Sequence, residues 1–524
     1  MIALPGRRAF RVDPWSVAAV LPFAIVSLAY WDHIPLWDAR EYADCIQEAA
    51  RLGRFPRDYV CAGHPTLAYA AIASSLVSLV PAAQVAILVA HVAFGLLALL
   101  SFRGLAADLF PGHDRELSLL AAALGVFPVL LGATVAFNPD CAVTAFFLAL
   151  LLCLSRRRFW LAALSGLLLV FSKETGVPLL VLAATLHALI VVTRGPGTPS
   201  EKGRALAGYL PLLLPLAAFA GWIAWRRQPG NAAFWGEQSA QSLFGVFTTF
   251  SLLDKQFLGH AMAACLFQFL WLATVAALVR WASKAKDWVF GLPSRDAPAL
   301  RWLDALCLSS FLLLTRYRTY ANLRYYLALA PLLLLCGYAA IASWPRWARF
   351  AGVGGLAMLF FVSAFRTVDP VARAAAGTFE FGSRSMLKMT SLGDWCCGYG
   401  RDQLAYNLEH TEFHFLQNEV YTATKPSLAR ALAGPLDSEA GMIGRLDAGT
   451  FRRTMLRART VEPPIWMLDR LKAGSRPPEL SWIRFPNFDF APEEKRLLEW
   501  YQPQGVQTFR HGAYALEVVN YRLR

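Results

Sequence analysis

Ionisable side chains cluster where the surrounding sequence is apolar, and they suggest proton transfer next to anion binding. The stretch from Trp31 to Pro65 carries acids (Asp38, Glu41, Asp44, Glu48, Asp58), bases (Arg40, Arg51, Arg54, Arg57) and aromatic residues, and it closes on His64-Pro65. Asp38 and Glu41 are three residues apart, so a helix starting at Asp38 turns both toward one cleft. A carboxylate beside a membrane cavity can have a raised pKa, which suits a base that takes a proton from a hydroxyl. The plainer reading is that Asp38 caps a helix start.

Further acids and cations sit at the ends of apolar runs. Asp140 lies in Asn138-Pro139-Asp140. Asn138 as N-cap, Pro139 in the first turn and an acid favoured by the helix dipole are the alternative to a functional role there. Lys173 follows directly on apolar sequence, either aimed at an anion or neutralised by Glu174 beside it. Arg316, Arg318 and Arg324 share one short segment with Tyr317, Tyr320, Tyr325 and Tyr326. Guanidinium forks match phosphate oxygens bidentately, which makes a phosphate the natural ligand and Arg324 the best single candidate. An aromatic belt with headgroup anchoring is the alternative.

The elements that must position these groups are membrane spans. The chain has 524 residues, 56% hydrophobic and 16% charged, against roughly 25% charged in a soluble domain. Apolar segments fall near 15–31, 66–80, 82–104, 117–137, 141–155, 159–173, 176–193, 205–225, 258–280, 302–315, 325–342 and 350–365. Arg7, Arg8 and Arg11 place the N-terminus in the cytoplasm, ahead of an uncleaved first span, and Arg156-Arg157-Arg158 marks another cytoplasmic loop. An even number of crossings between them requires 66–80 to lie in or against the outer interface. The expectation is therefore a polytopic α-helical protein of about eleven spans. Residues 1–365 form the transmembrane catalytic domain, with an outer loop at 32–65. Residues 366–524 form a mixed α/β soluble domain on the outer face, and its alternating tail 508–524 reads as strands. The candidate groups all fall on that outer face, although only the basic loops set the orientation.

The net charge of +14 is topological or a response to anionic lipid. No basic run interleaved with aromatics marks a nucleic-acid surface. The nine cysteines form no metal pattern. Cys45 and Cys61 share the first loop and can pair only if it faces an oxidising compartment. The vicinal Cys396-Cys397 carries no reading. His410, Glu412 and His414 have helical spacing but lack the zinc-protease order, so no metal is expected.

Taken together, these residues resemble the polyprenyl-phosphate-sugar-dependent glycosyltransferases of the GT-C fold. The likeness is to the group of protein O-mannosyltransferases, lipid A aminoarabinose transferases and lipopolysaccharide galacturonosyltransferases. It rests on Asp38 and Tyr42 in WDAREY, on the segment His64-Pro65-Thr66-Leu67-Ala68-Tyr69, and on Asp140 opening a later span. It also rests on the glycine-bearing span from Leu164-Ser165-Gly166 to Lys173, and on Arg324-Tyr325-Tyr326 through Pro331. The resemblance covers residues 15–345. It implies Asp38 as base, Asp140 as a second catalytic acid, and Lys173, Arg324, Arg318 and Arg316 on the donor phosphate. Glu41, Tyr42, His64 and Tyr325 would then contact sugar or acceptor. Gly63-His64 replaces an acidic-basic pair found in relatives, leaving His64 as a stand-in for lysine or as an interfacial histidine. The implied donor is a sugar on a polyprenyl phosphate, and the acceptor a glycan, lipid or protein. The implied setting is the plasma (inner) membrane with the C-terminal domain in the periplasm. No cofactor is required and a divalent metal is not indicated. The rivals are a flippase for polyprenyl-linked sugars and a polymerase or ligase with a pyrophosphate-linked donor.

Overall fold

The structure is a computed structural model. It describes residues 14–29, 38–55, 61, 64, 66–80, 83–135, 137–194, 198–226, 261–262, 264–289, 298–317, 323–365, 369–371, 380–381, 384–385, 479–484, 495–511 and 514–524. The chain divides into two compact units, residues 1–31 with 45–406, and residues 32–44 with 407–524.

The helices follow the apolar segments. They are α1 (Pro14–Ala29), α2 (Asp38–Leu52), α3 (Leu67–Leu79), α4 (Ala83–Leu109), α5 (Asp114–Gly125), α6 (Pro128–Val135), α7 (Asp140–Ser155) and α8 (Phe159–Val170). Then come α9 (Gly176–Arg194), α10 (Pro199–Ala207), α11 (Leu213–Arg226), α12 (Leu270–Val289), α13 (Pro298–Tyr317), α14 (Ala330–Ile341) and α15 (Arg346–Phe365). Among the described residues, Val85–Leu109, Gly176–Thr193, Pro199–Trp225, Pro298–Thr315 and Arg346–Ala364 are each long and apolar enough to cross a membrane. The helices α5 and α6 add a pair bent by 52°. The break falls where Pro128 opens α6, since proline has no N–H to continue the ladder. Shorter apolar helices (α1, α3, α7, α8, α14) complete a polytopic helical membrane protein. The 13 residues of α3 extend about 20 Å, less than the ~30 Å hydrocarbon core.

Packing orders these helices around α7. Most of its side chains are buried, and it packs against α4, α8 and α9. Leu79, Trp160, Val279 and Met358 instead stand exposed, as lipid-facing side chains do. Close helix approach is visible at Gly337 of α14, where an added Cβ would sit 2.8 Å from the Ala273 carbonyl oxygen of α12.

One span differs from its expected range. The segment expected at 258–280 is interrupted: Ala261, Met262, Ala264 and Cys265 are helical, and α12 starts afresh at Leu270. Gln268 and Phe269 adopt left-handed backbone, φ +60° and +62°, a conformation that ends right-handed helix. The Asp369 carboxylate then accepts the Phe269 N–H at 3.2 Å, placing negative charge at the start of α12.

Two short strands, β1 (Glu380–Phe381) and β2 (Arg384–Ser385), pair antiparallel. In the second unit, β3 (Glu479–Arg484), β4 (Tyr501–His511) and β5 (Tyr514–Leu523) form an antiparallel sheet in the order β3-β5-β4. The alternating tail is thus stranded, as its pattern predicts. Pro503 sits on the edge strand β4, beside a register shift between Pro503 and Gly505, where a missing donor is tolerated. Leu497, Tyr501, Val519 and Tyr521 bury its core. The His410–His414 segment and Cys396-Cys397 lie outside the described residues.

Candidate functional site

Three turns, far apart in the chain, build a buried polar cluster in the first unit. The first joins α6 to α7. Phe137 there has φ +53°, a left-handed conformation costing roughly 1–2 kcal/mol for a residue with a Cβ. The turn is held by Asn138 N–H on the Ala133 carbonyl at 2.9 Å. The Tyr69 hydroxyl also donates to the Phe137 carbonyl at 2.8 Å. Asp140 consequently opens α7 with its carboxylate 7% exposed.

The second turn joins α8 to α9 and carries Lys173 and Glu174. Gly176 makes it possible, because an added Cβ would fall 2.3 Å from the Leu169 carbonyl oxygen. The third is a 3-10 turn, Leu323–Tyr326, which delivers Arg324 and Tyr325 just before α14. The start of α3 stitches to the second turn as well, through Ala68 N–H on the Phe171 carbonyl at 2.9 Å.

The side chains meet as follows. The Lys173 ammonium, 1% exposed, donates to both Asp140 oxygens at 2.9 and 3.0 Å. Arg324, also buried, donates through Nη1 to the Asn138 side-chain oxygen. Its Nε lies 4.0 Å from Asp140. The Tyr325 ring lies 4.5 Å from the Lys173 nitrogen and 5.3 Å from the Arg324 guanidinium carbon, within cation–π range of both. Beside them, His64 Nδ1 donates to Glu174 at 3.0 Å. Two carboxylates balance two permanent cations, which is how charge becomes tolerable at membrane depth. Burying such pairs costs several kcal/mol of desolvation, and that cost argues for a use beyond holding helices together.

The cluster collects Asp140, Lys173, Arg324 and Tyr325, with His64 at its border. Lys173 is paired with Asp140, and Glu174 with His64, so the adjacent Lys173-Glu174 does not neutralise itself. The plainer sequence reading of Asn138 is a helix cap. Its side chain accepts from Arg324 instead, and α7 starts without a side-chain cap hydrogen bond. Asn138 and Glu174 are the members that sequence reasoning left out of the site. An amide and an acid next to stronger candidates gave no separate signal. Asp38 is the first residue of α2, and Glu41 lies on its first turn. The side chains of Asp38, Glu41 and Arg316, and all of Arg318, lie outside the described residues. Tyr42 is buried on α2.

Cys45 and Cys61 form a disulfide. Cys61 also exchanges both backbone hydrogen bonds with His64, at 3.1 and 2.8 Å, so the loop end that carries His64 is cross-braced. Among the described residues, no group of three metal-ligating side chains is assembled.

No protein-family model matches the chain, and no curated protein matches it. Solved structures do. ArnT from Cupriavidus metallidurans bound to undecaprenyl phosphate is 14% identical at TM-score 0.52, over 96% of this chain and 98% of that one. Apo ArnT from the same organism is 12% identical at TM-score 0.51, over 95% and 97%. At that identity the likeness is one of fold, and the chain has the GT-C fold.

Proposed function

We propose that the protein is a membrane glycosyltransferase that moves a sugar from a polyprenyl-phosphate donor to an acceptor hydroxyl on the outer face of the plasma membrane. The observation that carries the reading is the meeting of Asp140, Lys173 and Arg324 from distant turns, in a fold whose solved neighbour binds undecaprenyl phosphate. Residues 1–365 supply the catalysis. Residues 366–524 lie outside and serve acceptor or partner binding.

The chemistry is an inverting displacement. Asp38 takes the acceptor proton as its oxygen attacks the anomeric carbon. The bond from that carbon to the phosphate oxygen breaks, and its electron pair leaves with the lipid phosphate. Lys173 and Arg324 stabilise the charge growing on that leaving group. Asp140 holds Lys173 in place before the donor arrives, and the donor phosphate then competes with it for the ammonium. Arg316 and Arg318 extend the phosphate contacts, while Glu41, Tyr42, His64 and Tyr325 serve sugar and acceptor. The scheme needs no metal.

The test uses the full chain in lipid nanodiscs, with radiolabelled polyprenyl-phosphate sugars and an envelope acceptor fraction. Label should pass to acceptor with the wild type and fall about 100-fold or more with Asp38→Asn, a loss in the usual range for a general base, while donor binding stays. Near-normal turnover by Asp38→Asn removes it as the base. Donor binding without transfer by the wild type, across a broad acceptor panel, identifies a flippase instead.

A further inference from the structure

The opposite end of α7 carries a second set of cations that the proposed reaction does not use. The helix runs 16 residues from Asp140 to Ser155, about 24 Å at 1.5 Å per residue, before the Arg156-Arg157-Arg158 turn. These three arginines are not equivalent. Arg156 is committed to Asp108, 2.9 Å from its Oδ2. Arg157 and Arg158 are exposed, and among the described residues neither has a carboxylate partner.

Both line an open groove of about 720 Å³ between the start of α8 and the α10–α11 connection. Apart from the arginines, its walls are apolar, chiefly Trp160, Leu161, Leu210 and Leu214. Those four side chains are each 47–70% exposed. The acid nearest in sequence, Glu201 on α10, is occupied in a capping box with Thr198. The groove therefore pairs an uncompensated positive mouth with a hydrocarbon-lined floor.

The backbone makes the same point. Arg157 has φ +54°, at the left-handed position that closes α7. Arg157 N–H bonds the Leu154 carbonyl at 3.0 Å and Arg158 N–H the Cys153 carbonyl at 2.8 Å. Glycine fills such a position at lower cost. An arginine there accepts backbone strain and aims a guanidinium at the groove mouth.

We infer that this groove binds one diacyl anionic phospholipid, its phosphate between Arg157 and Arg158 and its chains along Trp160, Leu161, Leu210 and Leu214. The chemistry recognised is a monoanionic phosphodiester joined to hydrocarbon, in the leaflet opposite the donor site.

Native mass spectrometry of the detergent-solubilised full chain tests it, with dioleoyl phosphatidylglycerol and dioleoyl phosphatidylcholine as probes. The wild type should keep one phosphatidylglycerol under activation that strips phosphatidylcholine. Arg157→Gly preserves, and even favours, the native backbone there, so its effect reports the guanidinium rather than misfolding. It should weaken phosphatidylglycerol binding about fivefold, and Arg157→Gly with Arg158→Gln about 25-fold, the equivalent of ~1 kcal/mol for each basic residue near a lipid surface. Leu214→Trp, which fills the groove and leaves the charges, should weaken it too. Undiminished phosphatidylglycerol binding by the double arginine variant overturns the proposal. So does glycerol phosphate competing as well as the intact lipid, since the groove would then contribute nothing.

Discussion

Two acids in the helical unit, Asp140 buried and Asp304 partly so, each gather cations, and they do so differently. Asp304 on α13 accepts from Arg280 at 2.6 and 3.1 Å, Lys284 at 2.7 Å and Trp281 at 2.8 Å. These three donors come from α12, the preceding helix, within 24 residues of it, and the Cys336 thiol of α14 adds a weaker contact at 3.7 Å. Arg280 and Lys284 are four apart on one face, so the cluster ties α12 to α13. Asp140 has one close cation, Lys173, and a second, Arg324, at 4.0 Å. Its neighbours come from turns 33 and 184 residues away. A local acid saturated by strong donors is what fold stability asks for. An acid shared loosely between distant cations leaves those cations able to take another anion.

That contrast can be broken by removing one member from each cluster. Lys173→Met should cost about 10²–10³ in turnover, the range for losing one preorganised charge-stabilising donor, while most protein stays folded and membrane-inserted. Radiolabel transfer per folded molecule checks it, and near-normal transfer would erase the distinction. Asp304→Leu should act the other way. It strands two cations and costs stability toward the lower end of ~3–5 kcal/mol, because Lys284 is 27% exposed and can reach water. Thermal unfolding in detergent should show the drop, with transfer per folded molecule unchanged.

Much of this was legible from the residues. Apolar runs near 15–31, 82–104, 141–155 and 159–173 became α1, α4, α7 and α8, because bilayer-length hydrophobicity leaves the backbone little choice but helix. Asp140, Lys173 and Arg324 stood out because charge at a span end is costly and therefore conspicuous. What joins them was not legible. Lys173 could pair with the adjacent Glu174 or with Asp140, and only the left-handed turn at Phe137 and the glycine at 176 decide which. Asn138 looked like a cap because Asn-Pro-Asp is a common helix start, and nothing local announces an arginine 186 residues on. The break ahead of α12 was hidden for the same reason. Left-handed Gln268 and Phe269, and the Asp369 cap a hundred residues away, are tertiary choices.

The disulfide sharpens the comparison at the border of the functional cluster. It closes a loop with 16 residues of separation, and in the chain-entropy account that restrains the unfolded state by about 3 kcal/mol. Cys45→Ser should therefore lower the thermal midpoint, and a reducing agent should reproduce the shift in the wild type but not in the variant. If stability stays and transfer falls instead, the brace through Cys61 to His64 serves the site more than the fold.

The smallest expected effect separates those two roles. His64 is 19% exposed and Glu174 7%, so their hydrogen bond is partly screened and worth on the order of 1 kcal/mol. His64→Gln keeps a donor of similar reach and should cost little. His64→Ala removes the ring that orients Glu174, so the carboxylate can turn toward the adjacent Lys173 and compete with Asp140 for the ammonium. About a fivefold fall in kcat/KM follows, the equivalent of ~1 kcal/mol. Glu174→Gln in the His64→Ala background should restore most of it, because the competing charge is then gone. A double-mutant cycle measures this directly, and additive losses would make His64 a contact for sugar or acceptor in its own right rather than a positioning residue for Lys173.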